Sequence, residues 1–169
     1  MKTICLKNYA LLLCITFMLF TVSCSKDDVS EDEIEQSEAI SIAEEILQLV
    51  NAHRKSVGKD PLSFNTLAND LAYQHTLYMI EQSDISHDDF DLRSRELIDE
   101  ENASRTGENV AYGQRSAKEV MDAWLNSSGH RKNIEGDFTH IGIAVIKNSS
   151  GTYYFTQLFL KKRLEDTGV

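Results

Sequence analysis

The apolar positions of this chain change period as they run. Ile42, Ile46, Leu49, Val50 and His53 recur at steps of three and four, which predicts a helix over Ser37–Val57. Gly58 ends it and Pro61 cannot continue it, while Asn51 and Arg54 near its end can bond the loop that follows. Asn65 is a good N-cap for a second helix to about Ser83, with Ala68, Leu71, Ala72, His75 and Met79 on its packed face. Residues 83–107 are polar and irregular, with room for a short helix at Arg93–Ile98. A strand-like ENVAYG comes next. Ser116 and Glu119 then form a capping box ahead of a helix whose apolar face is Val120, Met121, Trp124 and Leu125. Ser127, Ser128 and Gly129 stop that helix, Gly129 being able to take the left-handed conformation, and His130 and Arg131 follow in a turn. Phe138–Ile146 and Tyr153–Leu160 alternate as strands around the turn Asn148–Gly151. The order predicts an α+β fold, with a small antiparallel sheet covered by helices on both faces.

Residues 1–23 change this picture, because they read as a processing signal. Lys2 and Lys7 give a basic start, and Ala10–Phe20 is an apolar run too short to cross a bilayer of about 30 Å. Thr21-Val22-Ser23-Cys24 resembles the lipobox of bacterial lipoproteins, in which a small residue precedes a Cys that is diacylated and then acylated again as the new N-terminus. Thr21 departs from the usual Leu, and an ordinary cleaved signal with an incidental Cys is the alternative. The three cysteines are Cys5, Cys14 and Cys24, so the remainder can form no disulfide. Residues 24–38 are acidic and poor in apolar side chains, which predicts a flexible tether. The acidic run also resembles the surface-export signal of some Gram-negative lipoproteins; a plain solvated linker is the other choice. Residues 39–160 form one domain, and the charged tail 161–169 is expected to fray.

The net charge of −10 argues against a nucleic-acid partner, because such binding is driven by Lys and Arg neutralising phosphates. It also disfavours an electrostatic grip on anionic lipid, so acyl chains such as palmitate on Cys24 would have to supply the membrane contact.

Seven segments occur in a telling order: LVNAHRKSVGKDPLSFN, LAYQHTLYM, ISHDD, GENVAYG, VMDAWLNSSGHRKNI, FTHIGIAV and YYFTQLF. Together they resemble the CAP superfamily (SCP domain), the family of cysteine-rich secretory, antigen 5 and pathogenesis-related proteins, in its bacterial form. The resemblance implies an α-β-α sandwich with a central cavity lined by two His and two acidic residues, which binds a divalent metal in some members. His87 matches the first His, Glu108 the Glu of the G-E-N motif, and His130 the second His. The second acidic position falls on Ser127, beside Asn126, so one carboxylate is missing.

Two imidazoles and a carboxylate are also sufficient ligands for an open Zn²⁺ site, so His87, Glu108 and His130 are the candidate residues for Zn or another divalent metal, and for catalysis if there is any. Their spacing contains no local motif such as H-E-x-x-H. The bland alternative is a structural network in which Glu108 pairs with His130 and backbone donors, and Asn109 is a structural hydrogen-bonder. His53 and His75 read as helix-packing residues, and Arg93 and Arg95 as neutralisers of the acids around them. Three function classes follow. One is a binding module for a lipid, glycan or protein, held in the bacterial envelope by Cys24, at the outer membrane and the cell surface. Another is a metal-dependent, protease-like hydrolase using the same cleft. The last is a purely structural envelope lipoprotein. The incomplete tetrad, and the lack of any Cys after Cys24 or any G-x-S-x-G, favour the binding module.

Overall fold

A computed structural model describes residues 30–163. The signal peptide, Cys24, residues 25–29 of the tether and residues 164–169 of the tail lie outside the described residues. In chain order the elements are α1 (Glu31–Ser56), β1 (Ser63–Phe64), α2 (Thr66–Gln82), α3 (Phe90–Glu101), β2 (Ala103–Tyr112), α4 (Ala117–Asn126), α5 (Ser128–Ile134), β3 (His140–Lys147) and β4 (Tyr153–Lys162). The strands form one sheet in the order β1-β3-β4-β2. β4 pairs antiparallel with both β3 and β2, whereas the two residues of β1 run parallel to β3. The sheet is therefore mixed rather than purely antiparallel; β1 is too short to leave a periodic signal.

Alternation along the strands divides the core. Ile141, Ile143, Val145, Phe155 and Phe159 face one side and pack with α1, α4 and Ile134 of α5. Ala144, Leu158 and Leu160 face the other and pack with Ala68, Leu71 and Ala72 of α2 and Leu97 of α3. The result is the α-β-α sandwich. Gly142 sits where α2 crosses β3, and a Cβ there would lie 2.1 Å from the Asn69 backbone nitrogen, so only glycine admits the helix at this depth.

Four features differ from the sequence expectation. α1 starts at Glu31, six residues before Ser37, so much of the expected tether is helical. Ser30 and Glu33 form a reciprocal capping box, and three acids in the first turn suit the helix dipole. Ala39 is buried, and Lys147 pairs with Glu35 and Glu38, so the acidic run has a packed side. At the other end, Lys161 and Lys162 belong to β4 and pair with Asp137 and Glu101 instead of fraying. Within the middle section, α3 spans twelve residues, and the expected turn at His130 is a helix. Ser127 is extended, α5 starts at Ser128, and Gly129 lies inside it without a positive φ.

The caps and straps follow from chemistry visible in the sequence. Asn65 accepts the Ala68 N–H at 2.8 Å. Ser116 accepts the Glu119 N–H at 3.2 Å, but the Glu119 carboxylate takes the Arg115 N–H at 2.8 Å, one residue earlier than in a true box. Asn51 exchanges both of its amide bonds with the Leu62 backbone. Arg54, 2% exposed, donates to the carbonyls of Asp60, Ile134, Gly136 and Phe138, which ties the end of α1 to the α5–β3 connection.

Candidate functional site

β2 is an edge strand, and two consecutive residues on it carry the site. Side chains of successive strand residues point to opposite faces, so Glu108 looks toward α2 and α3 while Asn109 looks toward α5. Glu108 has a side chain only 1% exposed, and both of its oxygens are engaged. Oε1 lies 2.7 Å from His87 Nδ1. Oε2 accepts from Arg93 Nε at 2.9 Å and lies 2.7 Å from Arg93 Nη2 in the same ion pair. Arg93 Nη1 donates to the Asp88 carbonyl at 2.8 Å, which holds the loop beside His87. A buried carboxylate is tolerated only with such compensation.

His75 enters from α2. Its Nε2 donates to the Ser86 carbonyl at 2.8 Å and lies 3.9 Å from Glu108 Oε1. It is the hydrogen-bonded core histidine expected from its apolar stripe, and it also fixes the peptide group immediately before His87. On the other side of β2, Asn109 donates to the His130 carbonyl at 3.2 Å and to Gln157 Oε1 at 3.1 Å. Asn133, one turn beyond His130 on α5, donates to the Glu108 carbonyl and to Asn109 Oδ1, each at 2.9 Å. Asn109 is thus the structural hydrogen-bonder expected. His53 lies elsewhere, paired with Glu135 at 2.9 Å.

The three candidate residues are therefore unequally placed. His87 and Glu108 are in direct contact; His130 forms no bond to Glu108 but lies close enough to His87 to feel its charge. Arg93 is the pairing partner of Glu108 in place of His130, and is buried rather than a surface neutraliser. Arg93 and Asn133 had no role in the sequence-based site. The one local clue was Asn133, three residues after His130 and so on the same helix face.

The donors do not form a ready coordination sphere for a divalent ion. Glu108 Oε2 is paired with the guanidinium of Arg93, and His87 turns Nδ1 toward Oε1. Among the described residues no group of three or more His, Cys, Asp or Glu side chains is placed to hold an ion. Next to Glu108, His87 has a side chain 53% exposed, and the imidazole of His130 is half-buried.

The histidines titrate in opposite directions. The hydrogen bond to Glu108 raises the His87 pKa, whereas burial lowers those of His75 and His130, the latter also through the charge of His87. A lowered pKa means the fold favours neutral His75. That contribution is complete above the ordinary imidazole value of about 6.5 and is lost as pH falls through the lower folded value. The His87 contribution has the other sign: present below about 6.5 and lost as pH rises through its raised folded value. Melting temperature measured against pH should fall on the acid side. His75→Gln should flatten that limb, and His87→Gln should flatten the alkaline one; an unchanged acid limb in His75→Gln would refute the assignment.

No helix among the described residues is long and apolar enough to cross a membrane. The chain is similar to two Bacillus subtilis (strain 168) proteins. One is "Uncharacterized protein YkwD", 34% identical over 124 residues, covering 69% of this chain and 46% of that protein. The other is "Uncharacterized membrane protein YlbC", 31% identical over 122 residues, covering 70% and 34%. The chain thus spans less than half the length of both. Among solved structures, an extracellular protein containing an SCP domain from Bacillus anthracis str. Ames superposes with a TM-score of 0.68 at 26% identity, over 79% of this chain and 44% of that one. An outer surface protein from Borrelia burgdorferi shares the fold, with a TM-score of 0.65 at 23% identity, over 76% of this chain and 96% of that one. The sequence profile described as "Cysteine-rich secretory protein family" matches residues 47–159, which include every residue of the Glu108 network. This chain belongs to the CAP, or cysteine-rich secretory protein, family.

Proposed function

We propose that this chain is an extracytoplasmic, lipid-anchored binding module whose ligand meets the cleft between His87 and His130. One observation supports this most: both oxygens of Glu108 are tied down, by His87 and by Arg93. With its side chain 1% exposed and both oxygens bonded within the protein, this carboxylate is poorly placed to reach a substrate or an ion and instead holds His87 in position. Preorganised walls with one exposed and one half-buried imidazole suit recognition. The full chain, purified in mild detergent, should carry a co-purifying small molecule or lipid detectable by mass spectrometry, and His87→Ala and His130→Ala should each reduce its amount. Zn²⁺ titration is the counter-test. A rise in melting temperature that follows mass action, and that disappears in His87→Ala, Glu108→Ala and His130→Ala alike, would overturn this reading in favour of the metal-dependent hydrolase.

The anchor is Cys24, within the Thr21–Cys24 lipobox, and the placement is the bacterial envelope, at the outer membrane and its outer face. The descriptions of the two structural relatives, an extracellular protein and an outer surface protein, support that side of the membrane. Each buried acyl CH₂ contributes about 0.8 kcal/mol, so more than one chain is needed for stable anchoring. Cells fed a labelled fatty acid should label the wild-type chain and not Cys24→Ala, which should also leave the membrane fraction. Equal partitioning of the two without label would sink the anchor.

A further inference from the structure

We propose that the outer edge of β3 is a docking slot for an extended peptide, an apolar segment flanked by basic residues that adds to the sheet as a strand. The edge is open because β1 is only two residues long. Ile141 C=O accepts from the Asn65 N–H at 2.9 Å, and the Ile143 N–H donates to Asn69 Oδ1 at 3.3 Å. Odd-numbered residues of β3 therefore direct their backbone groups away from β4, since both groups of a residue in an antiparallel pair point the same way. Beyond those two bonds, Ile143 C=O and both backbone groups of Val145 have no partner among the described residues. Nearly buried backbone groups of this kind are normally paired.

The edge opens into a groove of about 550 Å³ between the two helical layers. Its α1 wall presents Ala39 and Ala43, small residues that leave room; its α2 wall presents Tyr73. Ile40, Phe64 and Tyr73 around it are 51, 55 and 42% exposed, so nothing among the described residues covers this apolar rim. A strand entering between two layers is buried on both faces, which selects a short continuous apolar run rather than an alternating one. Unsatisfied amides select a peptide over a lipid, because only a backbone returns their hydrogen bonds.

Charge sets the flanks. Glu44 lines the groove, and Asp32 and Glu35 line its continuation toward the start of α1. Among the described residues the one cation lining either part, Lys147, is already held by Glu35 and Glu38. The excess is negative, and a Lys or Arg beside the apolar run complements it. Residues 32–44 precede the part of the chain matched by the family profile, so this wall belongs to the N-terminal extension of α1.

The test uses a labelled synthetic peptide, acetyl-Lys-Lys-Val-Ile-Val-Val-Lys-amide, titrated with the full chain by fluorescence anisotropy. Saturable binding is expected. N-methylation of one alternate set of amides should weaken it about tenfold or more, while methylation of the other set changes it little. Replacing the peptide lysines by glutamates should weaken it similarly. On the protein, Ala43→Trp fills the slot and Ile40→Lys, at an exposed position, repels the basic flank; each should lose binding with an intact melting transition. His87→Ala should bind as wild type, which separates this surface from the cleft. The proposal falls if the peptide does not saturate, if both methylated sets weaken equally, if the acidic peptide binds as well, or if Ile40→Lys binds unchanged. It also falls if sedimentation shows dimers that Ile40→Lys dissolves and the peptide does not, since the edge would then serve a second copy of the chain.

Discussion

Trp124→Ala should destabilise the domain by about 3–5 kcal/mol, the range for truncating a buried large aromatic. Trp124 is 1% exposed and stands edge-on to Phe155, with ring centroids 6.4 Å apart. The loss combines the transfer of a large apolar surface with a cavity between α4 and the sheet. A domain stabilised by about 5–15 kcal/mol would come close to its threshold. The indole does more than fill space, because its Nε1–H donates to the Val110 carbonyl at 3.2 Å. Trp124→Phe keeps most of the volume and removes that donor, so its cost should be smaller, about 1–3 kcal/mol for one buried acceptor left bare. Urea denaturation of the two variants separates the terms. A Trp124→Ala midpoint equal to wild type would remove Trp124 from the core.

Glu108→Ala should cost a similar amount, about 3–5 kcal/mol, for an electrostatic reason. Removing the carboxylate leaves the guanidinium of Arg93, whose side chain is 10% exposed, without its counter-charge. The penalty is the stranded charge more than the lost attraction. The double variant Glu108→Leu/Arg93→Met should therefore be more stable than Glu108→Ala alone, since an apolar pair of similar volume removes both desolvation costs. A double-mutant cycle measures this coupling directly. If the double variant is no better than the sum of its single changes, the two side chains do not act as a pair. The single change should also release His87, whose raised pKa depends first on its bond to Glu108.

The elements with a period were legible in the sequence. Ile42, Ile46 and Val50 marked α1, Ala68, Leu71, Ala72 and Met79 marked α2, and the hairpin announced itself by alternation and a Gly turn, with Gly151 at φ 81°. Their assembly into a sandwich followed from their order. The start of α1 was missed because its cap, Ser30 with Glu33, lies in an acidic run that looks solvated until Ala39 and Lys147 supply its packed side. The meeting of His87 with Glu108, 21 residues apart, was legible only through the family resemblance. Arg93 was not legible at all, and Asn133 only by its place three residues after His130. Their bonds to Glu108 bridge 15 and 25 residues, and no local pattern distinguishes an Arg that enters the core from one that neutralises surface acids.

A sheet grows into a fibre only if every copy can both give and take a strand. On β2, the Glu108 carbonyl is taken by Asn133 and the Val110 carbonyl by the Trp124 indole. Those bonds work as a chain terminator: acceptors that would template another copy are spent within the molecule. With two of its outward carbonyls spent in this way, β2 is a poorer template for a further strand than the open edge of β3. Trp124 thus covers an edge acceptor as well as filling the core, and its loss would bare the Val110 carbonyl together with a cavity.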